Sequence, residues 1–338
     1  MSEFRIDQIK SQDASRGPDV AGITTFTGTS GIVMPSGDTA YRGGRDRGIF
    51  AGSFPANKTL INTIHISTTG NAINFGTLAN NRSWGMPSAS STRGIFAGGY
   101  SPGIISNIDF VTFSSGGGGN NFGDLRTATK QGSGFSDATR GIFATGAAPG
   151  VTVAINFVTI ATGGSDSDFG DALAARRGGK GLASATRGVF ARGGYSAGST
   201  SDVTNVLEYV TIQTKGNSIE FGDRTSTHNY QGAAASNSTR GILAGGYTAP
   251  TNSNIIDYIT IASTGNAQDF GDLTDERHGG GGMSNATRAV FAGLWNGDTN
   301  NIIDYVTIAT TGNAVDFGDA TTAIYYSNAC SNAHGGLG

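Results

Sequence analysis

Six arginines recur along this 338-residue chain, at Arg47, Arg93, Arg140, Arg187, Arg240 and Arg288, spaced by 46, 47, 47, 53 and 48 residues. A guanidinium is a permanent cation with five donors in a planar fork. Six of them at one period suggest either an anion-binding ring or six equivalent bridges to carbonyls and carboxylates. Candidate carboxylates keep the same period: Asp124, Asp171, Asp223, Asp272 and Asp319 each follow a Phe-Gly pair. Residues repeated in every unit serve the geometry of the unit. The arginines are therefore expected to bridge neighbouring units through carbonyls or a carboxylate, with these aspartates as the candidate carboxylates. A second acidic series, Asp109, Glu208, Asp257 and Asp304, has Asn62 and Asn156 at the corresponding places. Calcium requires several oxygens converging on one point. One carboxylate per unit does not supply that, so no metal site is expected.

Other catalytic chemistry is thin. The histidines are His65, His228, His278 and His334, and Cys330 is the only cysteine. No pair has zinc-like spacing, and there is no Cys-x-x-Cys. There is no Gly-x-Ser-x-Gly elbow. The glycine runs 116–119 and 279–282 lack the strand-to-helix setting of a phosphate loop. Paired carboxylates for glycoside cleavage would have to come from different units. The expectation is a protein with no chemical step, no cofactor and no metal.

Features that vary between units carry more information. Each Gly-Gly strand end opens a loop, and these loops present Phe54, Tyr100, Tyr195, Tyr247 and Trp295, with Ala147 in the third unit. Such aromatics stack on sugar rings, anchor a protein partner, or fill apolar gaps between units. The fourth unit has the longest loop, where Ser199, Thr200 and Asp202 are candidate contacts. These eight residues form the expected ligand-binding set. Trp84 is expected to be buried.

The elements that must position these residues read as strands. Gly94-Ile95-Phe96-Ala97 and its counterparts are short apolar runs ended by glycines. The stretch 302–308 is β-branched and aromatic on both faces, as in a strand buried on both sides. Thr311-Gly312-Asn313 is a hairpin turn, leading to the Phe-Gly strand. A small-residue stretch such as 232–237 follows, suited to a crowded central axis. Four strands in about 47 residues match one blade of a β-propeller. The first unit lacks its small-residue strand, and the spare copy 326–333 at the chain's end should complete it and seal the ring. The prediction is all-β: a six-bladed propeller of four-stranded blades over 46–338, with an extended arm over 1–45. A seventh, degenerate blade from the N-terminal region is less economical.

Composition narrows the partners. Charged residues are 14% of the chain, with net charge −3 and no basic run, which argues against nucleic acid. No apolar run is long enough to span a membrane, and the opening residues lack the apolar stretch of a secretion signal. Forty-five residues bury little core alone. The arm is thus expected to attach to another chain or to form a homo-oligomer, the alternative being packing on its own propeller.

The order of a Gly-Gly strand end, an acidic-aromatic strand and an aromatic closing the outer strand resembles the kelch repeat over 47–335. Phe75 and its equivalents stand where kelch repeats usually carry tryptophan. The phrase Ile-Asp-Tyr-Val-Thr-Ile-Ala-Thr-Thr-Gly-Asn-Ala at 303–314 is similar to glycine-rich repeat proteins encoded by tailed phages of marine cyanobacteria. The opening Met1-Ser2-Glu3-Phe4-Arg5-Ile6 and the His334-Gly335-Gly336 ending are similar too. This resemblance implies a virion structural or tail-fibre-like protein, assembled in the host cytoplasm and held to other virion proteins by residues 1–45. Its propeller face would decorate the particle or touch a host glycan or envelope protein.

Overall fold

The computed structural model describes residues 46–52, 59–194, 202–228, 230–293, 295–296 and 301–337. The predicted arm over 1–45, and the candidate residues Phe54, Tyr195, Ser199 and Thr200, lie outside the described residues. The described strands form six four-stranded antiparallel sheets, the blades of a β-propeller. Inner strands of successive blades touch in cyclic order, the last meeting the first. The innermost strand of blade 1, Asn328–Ser331, comes from the end of the chain and pairs antiparallel with Arg47–Ala51. The closure expected from the spare copy is therefore present, and the ring has six blades.

Blade 6 shows why each segment takes its place. Its second strand, Arg288–Ala292, is buried from Ala289 to Ala292, as expected where a sheet is covered on both faces. Its outer strand, Val315–Asp319, alternates instead: Val315 is exposed and Phe317 is buried. The inner strand, Gly281–Ser284, is made of small residues apart from Met283, which fills the seam to blade 1, because the next inner strand lies against it. A Cβ on Gly282 would meet the Ala234 carbonyl oxygen at 2.2 Å. The apolar core follows the same logic. It lies in six seams between neighbouring blades, such as Ile61 and Phe75 of blade 1 against Phe96 and Val111 of blade 2.

The repeated arginines do bridge blades, through carbonyls, one of the two expected kinds of partner, and not through a carboxylate. Nη1 of Arg93, Arg140, Arg187 and Arg240 donates to the carbonyls of Ile160, Ile212, Ile261 and Ile308 at 2.8–2.9 Å, each in the following blade. Arg288 reaches Ile66 at 3.2 Å and so joins blade 6 to blade 1, and Arg47 donates to Phe113. The guanidinium also lies over an aromatic of its own blade, for example 4.4 Å from the Tyr209 and Tyr258 ring centres. The expected aspartate partners are a misreading with a geometric cause. Register places Arg288 opposite Thr307 and Asp319 opposite Ile302, at opposite ends of one strand. The aspartate backbone N–H is bridged by the turn asparagine instead. Asp171, Asp223, Asp272 and Asp319 donate to Asn217, Asn266, Asn313 and Asn71 Oδ1 at 3.0–3.1 Å.

The glycine of each Phe-Gly pair has its own blade-to-blade role. Gly76, Gly123, Gly170, Gly222, Gly271 and Gly318 all have φ between 142° and 156°. The following blade's turn glycine donates to the preceding Phe carbonyl, Gly265 to Phe221 at 2.8 Å and, closing the circle, Gly70 to Phe317 at 2.8 Å. A Cβ on Gly222 would lie 2.3 Å from the Gly265 oxygen, whereas Gly103 faces open space. Gly222→Ala is expected to cost about 3 kcal/mol through positive φ and the backbone collision together. Gly103→Ala should stay within about 0.5 kcal/mol. Paired urea titrations measure both, and equal midpoints would refute the nesting argument.

On the axis, serines lock the inner strands. Ser136, Ser236, Ser284 and Ser331 Oγ donate to the carbonyls of Ala89, Ala183, Ser236 and Ser284 at 2.7–2.8 Å. Beyond the closing strand the chain crosses one mouth of the axis, where His334 Nε2 lies 2.9 Å from the Ala89 oxygen. The axial cavity left is about 50 Å³, room for a few waters.

Candidate functional site

The opposite mouth carries the loops that the sequence singles out. On this face, among the described residues, five blades gain one more bridge between the end of the second strand, or the chain just beyond it, and a residue ahead of an inner strand: Ser83 with Tyr100, Lys130 with Ala147, Arg177 with Gly194, Tyr230 with Tyr247 and His278 with Trp295. The next residue in each blade is Trp84, Gln131, Gly178, Gln231, Gly279 or Tyr326, all at φ between 53° and 78°. Their backbones link around the axis. Gln131 N–H donates to the Trp84 carbonyl at 2.8 Å, Gly178 to Gln131 at 2.6 Å, Gln231 to Gly178 at 2.6 Å and Gly279 to Gln231 at 2.5 Å, while Trp84 donates to Tyr326 at 3.3 Å. Four of the six are not glycine, so the ring holds strained backbone to present large side chains.

Those side chains join the predicted aromatics in one arc. Ring centres run from Tyr247 to His278 at 4.9 Å, then to Trp295 at 5.1 Å and Tyr325 at 6.1 Å. The arc continues to Tyr326 at 5.4 Å, Trp84 at 5.2 Å and Tyr100 at 5.7 Å. Lys130 Nζ closes the far end, 4.6 Å from the Tyr100 ring centre. Tyr100, Tyr247 and Trp295 are thus brought together on one face and are half-buried. Trp84, expected to be buried, is also half-buried at the mouth. As members of this arc, Trp84, His278, Tyr325 and Tyr326 were not picked out from the sequence. Their shared signal is position, just ahead of the small-residue strands, and it is visible only once those strands are aligned.

Asp202 has a different neighbourhood. Its carboxylate lies 2.9 Å from Arg176 Nη1, tying the long loop of blade 4 to the end of the blade 3 outer strand. Blade 4 also shifts its aromatic by one residue, because Arg192 stands where blades 1, 2, 5 and 6 have glycine. Gly194 therefore occupies the place of Tyr100. Arg192 Nε binds Glu208 Oε1 at 2.6 Å.

The second acidic series lies beneath this face. Asp109, Glu208, Asp257 and Asp304 are fully buried. Arg82, Arg224 and Arg277, from the connectors between blades, pair with Asp109, Asp257 and Asp304. These arginines were not selected from sequence: Arg82 and Arg277 stand seven residues after their Phe, but Arg224 stands three after, and the other blades have no arginine pairing with the acid at a shared offset. Among the described residues, no three His, Cys, Asp or Glu side chains converge as metal ligands, and no helix is long and apolar enough to cross a membrane.

His278 is the arc's titratable member. Its Nδ1 lies 2.7 Å from Asn252 Oδ1 and its Nε2 lies 3.1 Å from the Tyr326 hydroxyl. Burial pushes the imidazole down to about 4. A histidine held neutral in the folded state gives full stability above the unfolded value of about 6.5, and stability falls as pH drops from there towards 4. The loss should reach on the order of 3 kcal/mol. Urea midpoints at pH 7.5 and 4.5 measure it, and His278→Gln should flatten most of the difference. An unchanged pH dependence in that variant would show that other groups control it.

No known family model matches the chain, and no curated protein matches it significantly. The fold defines a six-bladed β-propeller, and its function is argued from the site.

Proposed function

We propose that this chain is a non-catalytic structural component of a phage particle, presenting the loop face of a rigid propeller, with residues 1–45 attaching it to other virion proteins. One observation carries the reading. Side chains repeated in every blade are spent on joining blades, whereas residues that break the six-fold pattern gather on one face. Such a division suits a durable scaffold with one working surface. The low charge and the resemblance of the 303–314 phrase to phage proteins support the same reading.

A second reading, a host-binding adhesin, is favoured by the aromatic arc. Half-buried rings on a rigid frame stack on sugars at low entropic cost. Fluorescently labelled full-length protein, added to cyanobacterial cells and to their extracted surface polysaccharide, tests both readings. Saturable binding lost in Trp295→Ala and Tyr247→Ala would establish the adhesin. If none is found, while antibodies to the chain label purified particles, the structural role stands alone. Absence from particles would end the virion reading, and shortened polysaccharide would show a glycan-cleaving activity instead.

A further inference from the structure

The seam between blades 2 and 3 combines three departures from the common blade pattern, all near one cleft. The first is Thr145, five residues after its repeat arginine. Gly52, Gly98, Gly245 and Gly293 hold the same place at φ between 57° and 78°, and Thr145 adopts φ 59° there. A β-branched residue in that region is a true outlier. Its Oγ1 is buried and has no hydrogen-bond partner. The second is Asn156, which, like Asn62 of blade 1, stands where the other four blades have a buried acid. Arg126, half-exposed, reaches its Oδ1 at 3.0 Å. The third is Asp166, whose N–H binds the Asp124 carbonyl at 3.1 Å. Its counterparts in the other blades are Ala72, Gly119, Ser218, Ala267 and Ala314. Asp166 Oδ1 accepts the Arg126 N–H at 2.8 Å, and its Oδ2 is buried without a partner.

These changes frame a cleft of about 250 Å³ open to the loop face. Met86, Leu125 and Phe143 supply apolar lining, and Thr145, Asn156, Arg126 and Asp168 supply polar groups. The guanidinium of Arg126 is 3.6 Å from both Asp166 and Asp168. An anion would meet two carboxylates, and a metal ion would meet the guanidinium set between them. A neutral ring bearing hydroxyls suits the site, since each hydroxyl both donates and accepts and a C–H face covers apolar side chains.

We propose that the cleft between blades 2 and 3 binds one neutral sugar residue, with Arg126, Asn156 and Thr145 on its hydroxyls and Leu125 and Phe143 beneath its apolar face. The site is separate from the aromatic arc and does not depend on it. It gives the strained Thr145 a role, because Thr145 lines the cleft and its hydroxyl has no hydrogen-bond partner within the protein.

The test is saturation-transfer NMR of the full-length chain with the methyl glycosides of glucose, galactose and mannose. At least one should give a saturable signal. Arg126→Ala should weaken it about tenfold, and Thr145→Gly roughly threefold to tenfold. Thr145→Gly keeps the fold, because four blades already carry glycine there, and it should melt higher than wild type. The proposal is overturned if none of the three glycosides binds, or if binding is unchanged in both variants. Binding lost in Trp295→Ala but kept in Arg126→Ala would move the sugar to the arc, ending this assignment and leaving the adhesin reading intact.

Discussion

A chain ending at Tyr326 is expected to lose its single cooperative melting transition and to self-associate. The truncation removes the Asn328–Ser331 strand, whose four residues pair with Gly48 to Ala51. It removes Ala329 from the seam between blades 6 and 1 and Cys330 from the seam between blades 1 and 2. It also breaks the Ser331 bridge to Ser284 and the His334 contact across the axis. Roughly four ladder hydrogen bonds at about 1 kcal/mol each, with the apolar burial, come to on the order of 5 kcal/mol or more. That is comparable with the whole stability of many domains, about 5–15 kcal/mol. The Arg47–Ala51 strand would become an open edge, which invites pairing with another chain. Calorimetry and sedimentation read both effects, and a peptide spanning 327–338 added in trans should reverse them. A truncated monomer melting within a few degrees of the intact chain would sink the closure argument.

Cys330 gives an independent view of the same strand. The thiol is buried, and that burial pushes its pKa up. Thiolate is the reactive form. Alkylation by iodoacetamide should therefore wait for the ring to open, and its rate should follow unfolding across a urea series. Rapid modification of the native chain would show that the strand detaches without unfolding.

Arg82→Met is expected to cost about 3–5 kcal/mol, the usual penalty for leaving a buried charge without its partner. Arg82 and Asp109 are both fully buried and lie 2.9 Å apart. The same guanidinium donates to the carbonyls of Phe96, Gly98 and Asn107 at 2.6, 2.9 and 3.1 Å. It joins the connector leaving blade 1 to three points of blade 2. Asp109 would keep Asn80, whose N–H and Nδ2 donate at 2.9 and 2.8 Å, and so would remain buried and charged. Replacing both partners, Arg82→Met with Asp109→Leu, should recover much of the loss, because the desolvation of both charges is relieved. Urea denaturation of the two single variants and the double variant completes the cycle. Strict additivity would show that the two charges do not interact.

The repeat made much of the architecture legible before any coordinates. The Arg-Gly strand, the β-branched strand, the Gly-Asn turn and the Phe-Gly strand recur in order. Local alternation and turn chemistry set strand type within each unit, and the spare 326–333 copy set how the ring closes. Position within the blade was legible too, since fully apolar runs belong between covered faces and small residues belong on the axis.

Partners were another matter. The arginines and the Phe-Gly aspartates share a period, yet register holds them at opposite ends of a strand, and a carbonyl of the next blade is nearer. The buried Arg82 and Arg277 stand seven residues after their repeat Phe but Arg224 only three after, because connectors of different path reach the same depth. The aromatic arc joins residues from both ends of the chain, Trp84 beside Tyr326, and the blade 2–3 cleft depends on Thr145 holding a glycine's backbone angle. Periodicity is a property of each unit and can be read along the chain. Contacts between units depend on how curved blades meet around an axis, and only the closed ring determines that.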